Sequence, residues 1–271
     1  MIQLCHTRKI MLNKHFGLNK IPFTPNPSTF FESDALNMGL IKLQTTLFSS
    51  QIALITGKIG SGKTILTNAF IDNLDPTEVK AIMAPIANPS PRSIFKNIAS
   101  VAGLHAHLYG DDIKLQLINH FEEIRSQGKS VLVILDECHT FSVDVLDQLK
   151  TFFDTKRNFS LILLGQPQVN KMLRLTALLP LKQRISVFIN TSTLSLKGTK
   201  DYVEFRLKEA GSSASIFDEA TFPIIHQHSE GVYRMIDQLC FQALTIAYMN
   251  KNNIITTETV EAAYKNLDYE Y

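Results

Sequence analysis

The sequence predicts an α/β fold built on a parallel sheet and followed by a small all-helical domain, and three observations carry that prediction. Gly57-Lys58-Ile59-Gly60-Ser61-Gly62-Lys63-Thr64 fits the phosphate-cradling pattern G-x-x-x-x-G-K-[ST] and sits between a β-favouring run and an amphipathic helix. Short continuous apolar runs alternate with helical periods from Ser33 to Ile189, as buried parallel strands and their crossovers do. From Thr191 onward only helical patterns remain, broken at Gly211 and Gly231.

Composition agrees with this division. The chain has 271 residues, 45% of them hydrophobic and 19% charged, which is globular and long enough for one large domain and a smaller one. The expected boundaries are a tail over residues 1–14, a nucleotide-binding domain over 15–190 and a helical domain over 191–271. Met11, just before the first segment that reads as folded, is a candidate start site. A net charge of +2 permits a nucleic-acid surface without requiring one. Cys5, Cys138 and Cys240 are far apart and suggest neither a zinc site nor a disulfide framework, so a reducing, cytoplasmic setting is expected. No apolar run has the ~18 residues that span a bilayer, and no secretory leader is evident, so direct membrane insertion is not expected.

In chain order, His15–Phe31 holds Phe16-Gly17-Leu18, Ile21-Pro22-Phe23 and Pro25-Asn26-Pro27, a strap whose prolines exclude regular helix. Pro22 and Phe23 are candidates for the apolar wall of a nucleotide base, with plain packing on the core as the alternative. Ser33–Phe48 is helical, with Leu36, Leu40, Leu43 and Leu47 on one face, and leads into the strand Ile52–Thr56. Gly57, Gly60, Ser61, Gly62, Lys63, Thr64 and Ile65 are the candidate phosphate-binding residues, at a helix N-terminus whose aligned peptides favour anions. Lys63 supplies a point charge toward the β- and γ-phosphates of ATP, and Thr64 offers a hydroxyl to Mg2+.

Val79–Ile86 reads as the second strand, closed by Asn88-Pro89-Ser90-Pro91, and Ser93–Ala102 as a helix. Arg92 and Lys96, four apart, project together as a candidate contact to the phosphates of double-stranded DNA, or as a solvated helix face. Asp112–Ser126 is a further helix, with Ile113, Leu117, Phe121 and Ile124 inward and Gly128 as its stop. Val131–Leu135 is a buried strand ending in Asp136-Glu137. A nucleotide hydrolase needs one carboxylate there for the Mg2+ shell, Asp136, and one to polarise the attacking water, Glu137. Asp136-Glu137-Cys138-His139 also has the form of a helicase DExH box, but no second helicase motif accompanies it.

Ser142 caps a helix through Asp154, and Leu161–Gly165 is the next strand. Gln166, at its end, is placed to sense the γ-phosphate or orient the water, with loop capping as the alternative. Lys171–Lys182 reads as helix and Ile185–Ile189 as the last strand. Arg184 is the first choice, and Arg174 the second, for an arginine finger reaching a neighbouring subunit's nucleotide. Thr199–Ala210, Asp218–His228, Tyr233–Met249 and Thr257–Asn266 read as the helices of the last domain. Arg234 is a candidate to swing over the phosphates, whereas His226 and His228, two apart, do not face one another as metal ligands would.

With these residues assembled, the sequence resembles AAA+ ATPases of the ExeA type. The resemblance runs from about His15 through the Phe-Gly-Leu and Pro-Phe strap, the Gly57–Thr64 loop, Leu135-Asp136-Glu137, Leu164-Gly165-Gln166-Pro167, Leu181-Lys182-Gln183-Arg184-Ile185 and Gly231–Arg234. It implies a five-stranded parallel sheet in the order 5-1-4-3-2, a helical lid, and nucleotide between the two. Cys138 stands where such proteins more often have Ala, and Lys182 where Arg is common. One branch of the family assists secretin or pilus assembly; another, similar to MuB, TniB and TnsC, assists transposases. Secretion members often continue into a membrane segment and a peptidoglycan-binding module, which this sequence does not show. The expectation is therefore an ATP-dependent ring or filament on DNA that recruits a transposase, with secretion or pilus assembly as the alternative. A binding-only scaffold is a third reading, and Glu137 argues against it.

Overall fold

The computed structural model describes residues 11–24, 30–86, 89–104 and 111–267. Cys5, Pro25-Asn26-Pro27, Asn88 and residues 1–10 of the expected tail lie outside them. The chain divides into two compact units: Asp34–Ser192, and the described part of residues 1–33 together with Thr193–Tyr271. The described residues of the His15–Phe31 strap thus group with the C-terminal helices and not, as the sequence suggested, with the nucleotide-binding domain.

The larger unit is a sheet sandwiched by helices. After a short helix at 11–16 (α1), which belongs to the other unit, come α2 (Asp34–Phe48), β1 (Ile52–Thr56), α3 (Lys63–Asp72), β2 (Val79–Ala84), α4 (Pro91–Ala102), α5 (Asp111–Ser126) and β3 (Ser130–Leu135). They are followed by α6 (Val143–Lys156), β4 (Ser160–Gly165), α7 (Gln168–Met172), α8 (Leu179–Arg184) and β5 (Ile185–Asn190). All pairings are parallel, in the order β2-β3-β4-β1-β5, which is the predicted order read from its other edge. β1 and β4 are buried at every residue and β3 at all but Ser130, while the edge strands β2 and β5 alternate between buried and accessible positions. Their continuous apolar sequences follow from that position, because a strand covered on both faces has no solvent side to make polar.

Register places the chemistry. Thr56 lies opposite Gly165 and Leu135 opposite Leu163, so Gly57, Gln166 and Asp136-Glu137 all emerge at the carboxyl edge of three adjacent strands. Beneath one face, α4, α5 and α6 supply Phe95, Phe121 and Phe152, which pack with Phe159. Centroids are 5.0 Å apart for Phe95–Phe152, 5.3 Å for Phe121–Phe159 and 5.2 Å for Phe152–Phe159. Each such ring pair adds about 0.5–1.5 kcal/mol to area burial.

Several helices begin or end away from their sequence pattern. α4 starts two residues early because Ser90 and Ser93 form a capping box and Pro91 tolerates the first helical position. The expected helix over Lys171–Lys182 is broken into α7, a 3₁₀ turn at Thr176–Leu178, and α8. Leu175 is extended (ψ 137°), and Pro180 lies in the first turn of α8, where its missing N–H costs nothing.

The smaller unit contains α9 (Leu196–Glu209), α10 (Thr221–Ser229), α11 (Tyr233–Met249) and α12 (Thr257–Asn266). α10 begins later than expected because Asp218 donates its N–H to Ile255 O (3.0 Å) and so belongs to the turn beside the Phe217–Ile255 bridge. Gly231 has φ 71°, and a Cβ there would run into the backbone of Leu194, so this break is closed to side chains. Among the described residues no helix is long and apolar enough to cross a membrane.

Candidate nucleotide site

The Gly57–Thr64 loop links β1 to α3. Gly60 and Gly62 take φ 76° and 93°, the left-handed region that turns successive N–H groups toward one concave side. A Cβ on Gly57 would collide with Thr191 Oγ1 and Ser61 Oγ, which are themselves 2.6 Å apart. Thr191 in turn receives β1, its N–H donating to Thr56 O at 2.8 Å, so the base of the loop is held from the far edge of the sheet. Gly57 N–H donates to Gly165 O (3.3 Å), tying the loop to the end of β4.

Lys63 is only 8% exposed. Its Nζ donates to Gly57 O and Lys58 O, each at 2.9 Å, so the loop's own carbonyls hold the ammonium inside the cradle. An ammonium buried this far is costly unless its donors are used, and two backbone carbonyls plus an anion meet that need. Thr64 is exposed in the first turn of α3, and Ile65 is half-buried beside it.

Asp136 and Glu137 leave β3 in a sharp reversal. Glu137 sits at φ 56°, a region that side-chain-bearing residues seldom adopt, and its N–H donates to Asp136 Oδ1 at 2.6 Å. The turn closes as Thr140 N–H and Oγ1 donate to Glu137 O at 2.9 and 2.8 Å. Glu137's side chain is 55% exposed, as a water-polarising carboxylate requires. Cys138 is fully buried against Gly165. Burial pushes its thiol well up, the charges of Asp136 and Glu137 add to this and Lys63 opposes it, so it stays a neutral packing group.

Gln166 is half-buried, and its Nε2 lies 2.9 Å from His139 Nε2. His139 Nδ1 lies 3.1 Å from Glu137 Oε2. In the sequence His139 is marked only by its place in the D-E-x-H quartet, whose form is that of a helicase box.

Arg184, at the end of α8, is paired with Asp154 of α6, whereas Arg174 is exposed between α7 and the 3₁₀ turn. Arg92 and Lys96 are both exposed on α4, one turn apart. In the helical unit, Arg234 is exposed in the first turn of α11. Pro22 and Phe23 are buried there: Phe23 meets Phe217 edge-on at 6.2 Å, and the Arg206 guanidinium lies 5.9 Å from its ring. Arg206 also donates to Thr24 O (2.7 Å), so Phe23 and Thr24 pack within this unit. His226 Nδ1 bonds Thr199 Oγ1 (2.9 Å), while His228 approaches Glu261 (3.2 Å); the two imidazoles serve different partners.

Known proteins are similar to this chain. A family model described as an AAA domain matches residues 45–173, spanning the phosphate loop, the acidic pair and Gln166. General secretion pathway protein A of Aeromonas hydrophila is 31% identical over 270 residues, covering 94% of this chain, which spans 48% of that relative. Among solved structures, Pyrobaculum aerophilum Cdc6p superposes with a TM-score of 0.71 at 16% identity, covering 92% of this chain and 71% of that one. The Aeropyrum pernix Orc1 protein, solved in complex with DNA, gives 0.70 at 16% identity over 91% and 68%. Thermotoga maritima RuvB, a Holliday junction branch migration motor, gives 0.59 at 16% over 88% and 70%. With its parallel sheet, phosphate loop and acidic pair, this chain has the P-loop AAA+ fold, with the AAA-domain match at residues 45–173.

Proposed function

We propose that this protein binds ATP with Mg2+ at the carboxyl edge of the sheet and hydrolyses it. The buried Lys63 ammonium, held at 2.9 Å by two carbonyls of the glycine-rich loop, is the observation that carries the reading. The loop N–H groups and Lys63 bind the phosphates, and Thr64 and Asp136 are the residues that would hold Mg2+. When bound, Mg2+ neutralises charge that builds on the phosphate oxygens. Glu137 accepts the proton of the attacking water, and Gln166 orients that water beside the terminal phosphate.

The test pairs binding with turnover. Isothermal titration of ATP in Mg2+ should show affinity lost in Lys63→Ala and kept in Glu137→Gln, while phosphate release is lost in both. Wild-type affinity in Lys63→Ala would remove the reading of the loop.

What the turnover serves has two readings. The 31% identity to General secretion pathway protein A supports an ATPase that assists secretion or pilus assembly. An oligomer on double-stranded DNA that recruits a transposase is the rival, with Arg92 and Lys96 as its candidate phosphate contacts. In both, self-assembly brings Arg184 to a neighbour's nucleotide, and Arg234 closes on the phosphates.

A further inference from the structure

We infer that His139 is a positioning residue that couples Glu137 to Gln166. The inference rests on the proposed hydrolytic roles of those two side chains. Three features place the imidazole between them. The left-handed turn at Glu137 reverses the chain after β3. Gly165, which lacks a Cβ, lets Cys138 and the backbone of His139 lie directly on the end of β4. The ring then spans the gap, with Nε2 at 2.9 Å from Gln166 Nε2 and Nδ1 at 3.1 Å from Glu137 Oε2.

The chemistry of the three groups fixes their protons. The Glu137 carboxylate favours a proton on the facing Nδ1, which leaves Nε2 as an acceptor for the Gln166 amide N–H. The reverse arrangement would set a nitrogen lone pair 3.1 Å from a carboxylate oxygen, which repels. Nδ1 is buried and not aligned on Oε2 well enough for a hydrogen bond. A small rotation of the exposed Glu137 carboxylate completes that bond. A base that otherwise turns freely in water is thereby held at an angle set by Gln166, so a shift of the amide on meeting the terminal phosphate is passed through the ring to the base.

Nothing in this role requires His139 to touch ATP. His139→Ala should therefore leave ATP affinity and KM within about twofold while kcat falls roughly 10- to 100-fold, a part of what a general base supplies. His139→Asn, which keeps an N–H donor near the Nδ1 position, should recover part of that loss. Gln166→Ala combined with His139→Ala should cost no more than the worse single change, because both break one linkage. Independently of turnover, ¹⁵N spectra of the wild-type protein should show His139 as the Nδ1–H tautomer, and Gln166→Ala should move it toward the Nε2–H form that free histidine prefers.

A His139→Ala protein with wild-type kcat, an asparagine variant no better than alanine, fully additive losses, or an Nε2–H ring in the wild type would each overturn the coupling. Glu137→Gln is the control. If it is inactive while His139→Ala is not, only the coupling fails; if it hydrolyses ATP normally, the role of Glu137 has failed and the coupling with it.

Discussion

Arg184 holds Asp154 through two nitrogens, Nε at 3.2 Å from Oδ1 and Nη2 at 3.1 Å from Oδ2. Arg157 adds a third contact to the same carboxylate at 3.1 Å. Partial burial pushes the Asp154 carboxyl up, but the hydrogen bonds from Arg184 and Arg157 outweigh it and hold it below the usual range. The planar, two-toothed pairing fixes the guanidinium at the end of α8, on the residue proposed above as a finger toward a partner's phosphate.

Arg184→Ala should therefore lower hydrolysis while leaving nucleotide affinity nearly intact, with a stability loss of at most about 1 kcal/mol for a pair this accessible. Mixing it with Lys63→Ala is the decisive assay, because composite sites made of one intact half from each protein should regain turnover. Trans-acting fingers contribute about 10³–10⁵ in rate. If no mixture recovers activity, Arg184 does not act across subunits.

Gly165→Ala tests the seat of the acidic turn. The added Cβ would lie 2.7 Å from Cys138 Sγ and 2.7 Å from Val169 Cγ2, with His139 N at 3.3 Å. Relief requires the turn to lift from β4, at about 1–3 kcal/mol. Thermal unfolding should show that loss, and kcat should fall with it because Glu137 and His139 ride on the displaced segment. An unchanged melting temperature would show that the turn accommodates a methyl group.

In the helical unit, Asp237 accepts from Tyr202 OH at 2.9 Å and pairs with the buried Arg206 at 3.1 Å. Burial pushes its carboxyl up to about 6, with Arg206 and Tyr202 opposing the shift. The folded state thus binds a proton that the unfolded chain releases near pH ~4. That contribution to stability is complete below pH ~4 and is lost as pH rises to about 6, amounting to at most ~3 kcal/mol. Urea unfolding should give the wild type and Asp237→Asn similar stability below pH ~4, where Asp237 is neutral, and the wild type should lose stability relative to the variant as pH rises across this window. Parallel curves would mean that Arg206 keeps Asp237 ionised at every pH tested.

DNA binding separates the two functional readings. If the transposase reading holds, fluorescence anisotropy of a random duplex should rise with ATP and not with ADP, and log K should fall linearly with log salt. Arg92→Ala with Lys96→Ala should flatten that slope by about two phosphate contacts without altering ATP affinity. Negligible binding in both nucleotide states leaves the secretion or pilus reading.

Much of this was legible in the sequence because it depends on local rules. β1 and α12 lie at their predicted residues, since a continuous apolar run and an amphipathic period leave little choice. The loop announced itself because glycine spacing, a following lysine and a flanking strand are all demanded by one phosphate-shaped cavity. The Lys171–Lys182 stretch misled because its apolar period continues through a segment that Pro180 and an extended Leu175 interrupt.

By itself, then, the sequence determined the sheet's strands, the phosphate cradle and the acidic pair, because each is specified by residues adjacent in the chain. Only the tertiary structure decided that His139 stands between Glu137 and Gln166, that Arg184 is gripped by Asp154, and that Phe23 packs with Arg206 and Phe217. Those relationships join residues separated along the chain, and their geometry follows from strand register, a missing Cβ and a left-handed turn, none of which has a period to read.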